Sequence, residues 1–226
     1  MQKQFAFLAL AVCALPPSPV LAQRTERVLY IFGQASNDPS SPQDGVIADK
    51  DGNLYGTSAA GGAHGDGTVF KITADGQEQV IYSFAGGATD GAVPDGGVAM
   101  DDKGNLFGTT NVGGSKDDGT VFELSPNPDG KTYTEKVIYF FCPQKDCIDG
   151  RQPKAGVVIG KNDVLYGTTQ LGGTSPFYNL LSGVVWRLTP PGKHETIWNE
   201  TVLHNFCQKK ATSVFVPMDI TPPLGC

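Results

Sequence analysis

The sequence predicts an all-β protein of propeller type, with about three four-stranded blades plus one extra strand, an incomplete propeller. Three observations carry this. Glycine and proline fill 29 and 16 of 226 positions, and both disfavour helix interiors. Residues 46–72 and 98–124 align without gaps at an offset of 52, with 14 of 27 positions identical, so a structural unit recurs. Inside the unit, short β-prone runs alternate with turn residues. A hydrophobic fraction of 39% with 12 Phe and 7 Tyr supplies a core, and 18% charged residues is too few for a disordered acidic chain.

In chain order, Lys3, the apolar run 5–15 and the small residue Ala22 before Gln23 have the organisation of a secretory signal. Residues 1–22 are therefore expected to be a cleaved signal and the product to be exported, periplasmic or extracellular. Cys13 raises lipidation as a rival, but Val12 stands where such a signal needs a small residue. The apolar run is too short to span a membrane and no second run of about 18 apolar residues follows, so no transmembrane segment is expected.

The copies then occupy residues 28–79, 80–136 and 137–201, with a truncated fourth copy and divergent tail at 202–226. Each opens alike, as in Val80-Ile81-Tyr82-Ser83-Phe84, Val137-Ile138-Tyr139-Phe140-Phe141 and Val202-Leu203-His204-Asn205-Phe206. In the second copy, residues 80–84, 97–101, 106–110 and 120–124 are expected to be the four strands of one blade. The connection Asp102-Lys103-Gly104-Asn105 reads as a tight hairpin, with a glycine able to take positive φ.

Tyr82-Ser83-Phe84, Asp90-Gly91 with Pro94, Gly52-Asn53-Leu54-Tyr55-Gly56-Thr57, Gly113-Gly114 and Gly67-Thr68-Val69-Phe70-Lys71-Ile72 together resemble the GloVer tandem-repeat, or choice-of-anchor, family. The resemblance covers residues 28–206. It implies propeller-like repeats on exported proteins and transfers no activity or site residue. Family members run through more repeats than three, and three blades do not close a ring of four to eight. A truncated or frame-shifted reading frame is the expectation, and the alternative is that chains complete a ring together, by self-association through open blade edges.

The candidate functional residues are few. The chain carries 17 basic against 23 acidic residues, a net charge of -6, so a nucleic-acid backbone is repelled. In an oxidising compartment Cys142 and Cys147 are expected to form a disulfide across a short loop. Phe177 and Tyr178, in an insertion at 174–182, are the candidate ligand-binding residues, against the plainer reading that they fold back over the core. Asp49, Asp51 and Asn53 have a faintly calcium-like spacing, but only the turn persists in the other copies. Asp38, Asp90 and Asp149 recur in turn contexts and offer a polar ring on one face. The repeated Tyr and Phe are expected to pack the core.

His64, His194 and His204 share no repeat context, and no metal, cofactor or catalytic set stands out. The leading expectation is a non-enzymatic binding or cell-surface interaction module for an extracellular ligand, glycan or protein. Its rivals are an extracellular glycan-active propeller enzyme and a non-functional fragment of a longer repeat protein.

Overall fold

The computed structural model describes residues 26–174, 182–193 and 195–207. Among them the chain is all-β, with single 3-10 turns at Lys145–Cys147 and Lys161–Asp163. The first antiparallel sheet contains β1 (Ile47–Ala48), β2 (Leu54–Ser58), β3 (Thr68–Ile72) and β4 (Glu78–Ser83), in that order. Next come β5 (Gly91–Ala92), β6 (Ala99–Met100), β7 (Leu106–Thr110), β8 (Val112–Gly113), β9 (Thr120–Pro126) and β10 (Tyr133–Phe140). Of these, β6, β7, β9 and β10 form the second sheet, and β5 pairs with β8 beside it. The third sheet contains β11 (Val158–Ile159), β12 (Leu165–Thr168), β13 (Val184–Thr189) and β14 (Asn199–Asn205).

Sheets and sequence copies are out of step by one strand. Residues 80–84 were expected to open the blade of the second copy, yet 80–83 lie in β4 and pair with β3 of the first, Val69 facing Tyr82 and Phe70 facing Val80. The same holds at Val137, in β10, and at Val202, in β14. The grouping of 80–84 with 97–124 is thus corrected, and the strand expected to be an extra one completes the third sheet. The reason is local. A chain leaving β3 turns back at once, Thr73 N–H bonding the Gln77 carbonyl at 2.8 Å, whereas the link from Phe84 to β6 is long and contains Pro94. At the N-terminal end, residues 28–32 belong to no strand, and Val28, Leu29 and Ile31 are exposed.

Register explains the repeated motifs. Gly56, Gly108 and Gly167 stand directly across from Phe70, Phe122 and Trp186. A Cβ on Gly108 would sit 2.5 Å from Phe122 Cζ, so the glycine is the space over which the ring lies. Each of these rings then meets an aromatic from the copy opening before it. Phe32 lies 4.9 Å from Phe70, Phe84 5.1 Å from Phe122, and Phe141 5.7 Å from Trp186, centroid to centroid. Such pairs add about 0.5–1.5 kcal/mol beyond their buried area.

The threonines that follow the glycine tie neighbouring copies together. Thr57 donates to the Gly96 carbonyl at 2.9 Å and Thr109 to the Ala155 carbonyl at 2.8 Å. Ser58 with Thr68, and Thr110 with Thr120, bond across the strands at 2.8 Å. These buried hydroxyls are satisfied, as their burial requires.

Candidate binding cleft

The β1–β2 and β6–β7 turns lie at the same end of adjacent sheets, and a half-open cleft of about 500 Å³ runs between them. Its base is built by the Asp-x-x-Gly-Asn turns. Asp49 Oδ1 accepts the Asp51 and Asn53 backbone N–H groups, each at 2.9 Å, while Oδ2 accepts Asn53 Nδ2 at 2.8 Å and the Tyr55 hydroxyl at 3.1 Å. Asp101 repeats the pattern with Lys103 N at 2.8 Å, Asn105 N at 2.9 Å and Asn105 Nδ2 at 2.8 Å. Burial acts to raise the Asp49 carboxyl, but the donors from Asn53, Asp51 and Tyr55 outweigh it and hold the group below the usual range. These are turn-holding carboxylates, in line with the structural use expected of them.

Above that base, Met100, Pro126 and Tyr133 give an apolar wall, and Lys50, Asp51, Asp102 and Lys103 give a charged rim. Burial, then the adjacent Tyr133 hydroxyl and the Asp49 carboxylate, raise the Tyr55 phenol, and Lys71 lies 5.5 Å over its ring. Lys103 also reaches Asp163, in the 3-10 turn between β11 and β12, at 3.2 Å.

Of the features singled out in the sequence, the Asp49 and Asp51 turn lines the cleft, whereas Cys142 and Cys147 do not. Phe177 and Tyr178 lie outside the described residues, as do His194 and residues 1–25. Just before that insertion, the Gly173 N–H bonds the Cys147 carbonyl at 2.9 Å, and at its first residue the Thr174 N–H bonds Asn205 Oδ1 of β14 at 2.8 Å. Cys142 and Cys147 bring their sulfurs to bonding distance with Cα atoms 4.2 Å apart, a disulfide-capable pair. Asp118 adds a carboxylate within 4.8 Å, but the guanidinium of Arg151 stands 3.6 Å from it, so an ion pair sits beside the disulfide-capable cysteines in the link between the second and third sheets. His204 occupies the tyrosine position of its opening and packs on Phe206 at 5.1 Å.

Asp38, Asp90 and Asp149 form no exposed ring, being 9%, 9% and 1% exposed. Each accepts the tyrosine hydroxyl of its own opening. Tyr30 bonds Asp38, Tyr82 bonds Asp90 at 3.0 Å and Tyr139 bonds Asp149 at 2.9 Å. Backbone N–H groups of Gln34, Ala85 and Cys142 complete these clamps at 2.7, 2.8 and 3.0 Å. The hydrogen bond to Asp38, with burial second, pushes the Tyr30 phenol up to about 12. The core role expected of the tyrosines thus includes a specific polar bond.

A third recurring carboxylate escaped the sequence reading. Glu78, Glu135 and Glu200 each stand two residues before an opening valine. Register sets them across from Ile72, Leu124 and Leu188, all core residues, and each leaves Oε1 buried with no hydrogen-bond partner. Burial first, then Asp38, Asp90 and Asp149 respectively, raise these acids, Glu135 and Glu200 to about 7. The signal that could have found them is Glu-x-Val, present at all of these openings.

No helix among the described residues is long and apolar enough to cross a membrane. A family model described as the Gloeobacter/Verrucomicrobia repeat matches residues 19–220. No curated protein matches the sequence.

Proposed function

The chain belongs to the Gloeobacter/Verrucomicrobia repeat family, and we propose that it is an exported, propeller-type, non-enzymatic binding module whose cleft between the first two sheets takes an extracellular glycan. The observation that carries this reading is the make-up of the cleft. Its half-buried carboxylates, Asp49 and Asp101, are consumed by their own turns, which gives a rigid frame, while Tyr133 offers a ring and Asp51, Asp102, Lys50 and Lys103 offer rim donors and acceptors. An aromatic face with flanking hydrogen-bonding groups on a fixed scaffold suits a saccharide ring. Export rests on the pattern of Lys3, the apolar run and Ala22.

Binding to a panel of soluble oligosaccharides, followed by titration calorimetry, tests the reading. Tyr133→Ala is expected to weaken binding at least about tenfold, the loss of roughly 1.4 kcal/mol. Saccharides that fail to bind, or a variant that binds as well as the parent, would refute it.

One observation favours the glycan-active enzyme as a second reading. A glutamate raised to about 7 beside an aspartate, as at Glu135 and Asp90, is an acid–base pattern found in glycosidases. The same pairing recurs at the fourth strand of all three sheets, where a structural role is needed once per sheet and a catalyst only once. Turnover of any saccharide by the parent, abolished in Glu135→Gln, would promote the enzyme reading over the binding module.

A further inference from the structure

We propose that residues 26–32 are a fourth strand without a sheet, and that they dock onto the open third strand of a repeat sheet in another polypeptide, one that carries the pattern Thr-Val-Phe-Glu-Leu. The segment Glu26-Arg27-Val28-Leu29-Tyr30-Ile31-Phe32 shares its glutamate, valine, tyrosine and final phenylalanine with residues 78–84 and 135–141. Its C-terminal half is already seated as those openings are. Tyr30 bonds Asp38, the Gln34 N–H reaches the same carboxylate at 2.7 Å, and Phe32 lies 4.9 Å from Phe70. Tyr82, Ala85 and Phe84 repeat these contacts at Asp90 and Phe122. The N-terminal half has no strand beside it. Among the described residues no strand or bridge includes 26–32, and Val28 and Ile31 are 65% and 62% exposed. Their counterparts Val80, Val137 and Val202, and Ser83, Phe140 and Asn205, are half-buried where a third strand runs alongside.

The three paired copies define the missing neighbour. In each, the opening valine faces Phe70, Phe122 or Trp186, and the residue two further on faces Val69, Val121 or Val185. Between them Ile81, Ile138 or Leu203 is bulged out of register. On that template Val28 takes the aromatic residue, Tyr30 takes the valine and Leu29 is the bulge. Arg27 then discriminates among third strands. Its counterparts Gln79, Lys136 and Thr201 face Lys71, Glu123 and Arg187, so the one basic residue among them stands across from an acid. A strand like β3 or β13 would set a like charge opposite Arg27, whereas a strand like β9 sets a carboxylate there, and cross-strand pairs of opposite charge are the favourable ones. A second copy of this chain fits less well, because β3, β9 and β13 each already pair with a fourth strand of their own. The segment is thus an edge for strand addition by a foreign sheet. None of residues 26–32 lines the cleft, so the proposal does not depend on glycan binding.

Fluorescence anisotropy of a labelled synthetic peptide, titrated with the full-length protein, tests the proposal. The peptide has the sequence of residues 118–125, Asp-Gly-Thr-Val-Phe-Glu-Leu-Ser. Saturable binding is expected, and the Glu123→Lys peptide should bind at least about fivefold more weakly. Arg27→Glu in the protein, at an exposed position, should reverse the order of the two peptides. Ile31→Asp should weaken both at least about tenfold. Amide exchange in residues 27–31 should slow when the peptide is bound.

The comparison of the two peptides on the parent needs no variant, and equal binding of both overturns the proposal. So does the absence of saturable binding, a scrambled peptide that binds as well, or a peptide order that Arg27→Glu leaves unchanged. Two other occupants are open to direct observation. Light scattering that shows a concentration-dependent oligomer of the parent, dispersed by Ile31→Asp, would assign the segment to a second copy. A photo-crosslinker placed at Val28 that joins the segment to residues 208–226 of the same chain would show the edge filled from within. Either result likewise overturns the proposal.

Discussion

Gly108→Ala tests whether the repeated glycine exists to make room for the ring opposite. Its added Cβ would lie 2.5 Å from Phe122 Cζ, 2.9 Å from Cε1 and 3.3 Å from Cε2. Phe122 cannot step aside cheaply. It is 0% exposed, and its ring packs against Phe84 at 5.1 Å. Overpacking of this kind costs about 1–3 kcal/mol. Alanine recovers about 0.4–1 kcal/mol by lowering the freedom of the unfolded chain. The net expectation is a loss of roughly 1–2 kcal/mol, or about 2–8 °C in Tm for a chain of this size. Phe122→Leu removes the clashing end of the ring and alone costs about 1–3 kcal/mol as a cavity. In the double variant the two losses should fall short of their sum by about 1 kcal/mol or more. Gly45→Ala, with nothing within 4 Å of its Cβ, is the control and should stay within about 0.5 kcal/mol of the parent. Denaturant unfolding of all four variants reads this directly. A Gly108→Ala protein as stable as its parent, or a strictly additive double variant, would refute the steric account.

Two further perturbations bear on the junctions. Tyr82→Phe deletes the hydroxyl that Asp90 accepts at 3.0 Å, while the Ala85 N–H stays at 2.8 Å. A loss of about 1–2 kcal/mol in denaturant unfolding is expected, and an unchanged midpoint would show that the clamp adds nothing. Cys142→Ser/Cys147→Ser opens the short loop leading into the third sheet, with an expected loss of about 2 kcal/mol. In the parent, a peptide carrying both cysteines should take up an alkylating reagent only after reduction. Labelling without reductant would mean free thiols and no covalent clasp.

Much of the fold was legible because the sequence repeats, and its one error has the same source. A periodic sequence has no origin, so 80–84 could open one unit or end another, and only the tight return at Thr73 and Gln77 assigns it to the sheet before. The cleft was less legible. Its two turns were recognised as turns, but they meet only after the sheets stack, and Tyr133 opens β10 in a β9–β10 hairpin whose strands are longer than β3 and β4 of the first copy, so periodicity never marked it. The glutamates were missed for another reason. Openings were recognised by their apolar and aromatic residues, and a charge two positions upstream reads as solvent-facing until the register places it across from Leu124 or Leu188.

The one-strand offset also bears on how cleft and junction relate. Because β4 is covalently continuous with the segment that carries Phe84 and Asp90, the first sheet sends Phe84 directly into the second, where it packs on Phe122. Glu135 and Tyr133 are two residues apart on β10, pairing with Leu124 and Pro126, and alternation puts their side chains on the same face. One strand thus supplies the acid of the junction and the ring of the cleft wall. The cleft frame, by contrast, comes from the Asp49 and Asp101 turns, so the fourth strand adds the ring to a support that the first two strands of each sheet already fix.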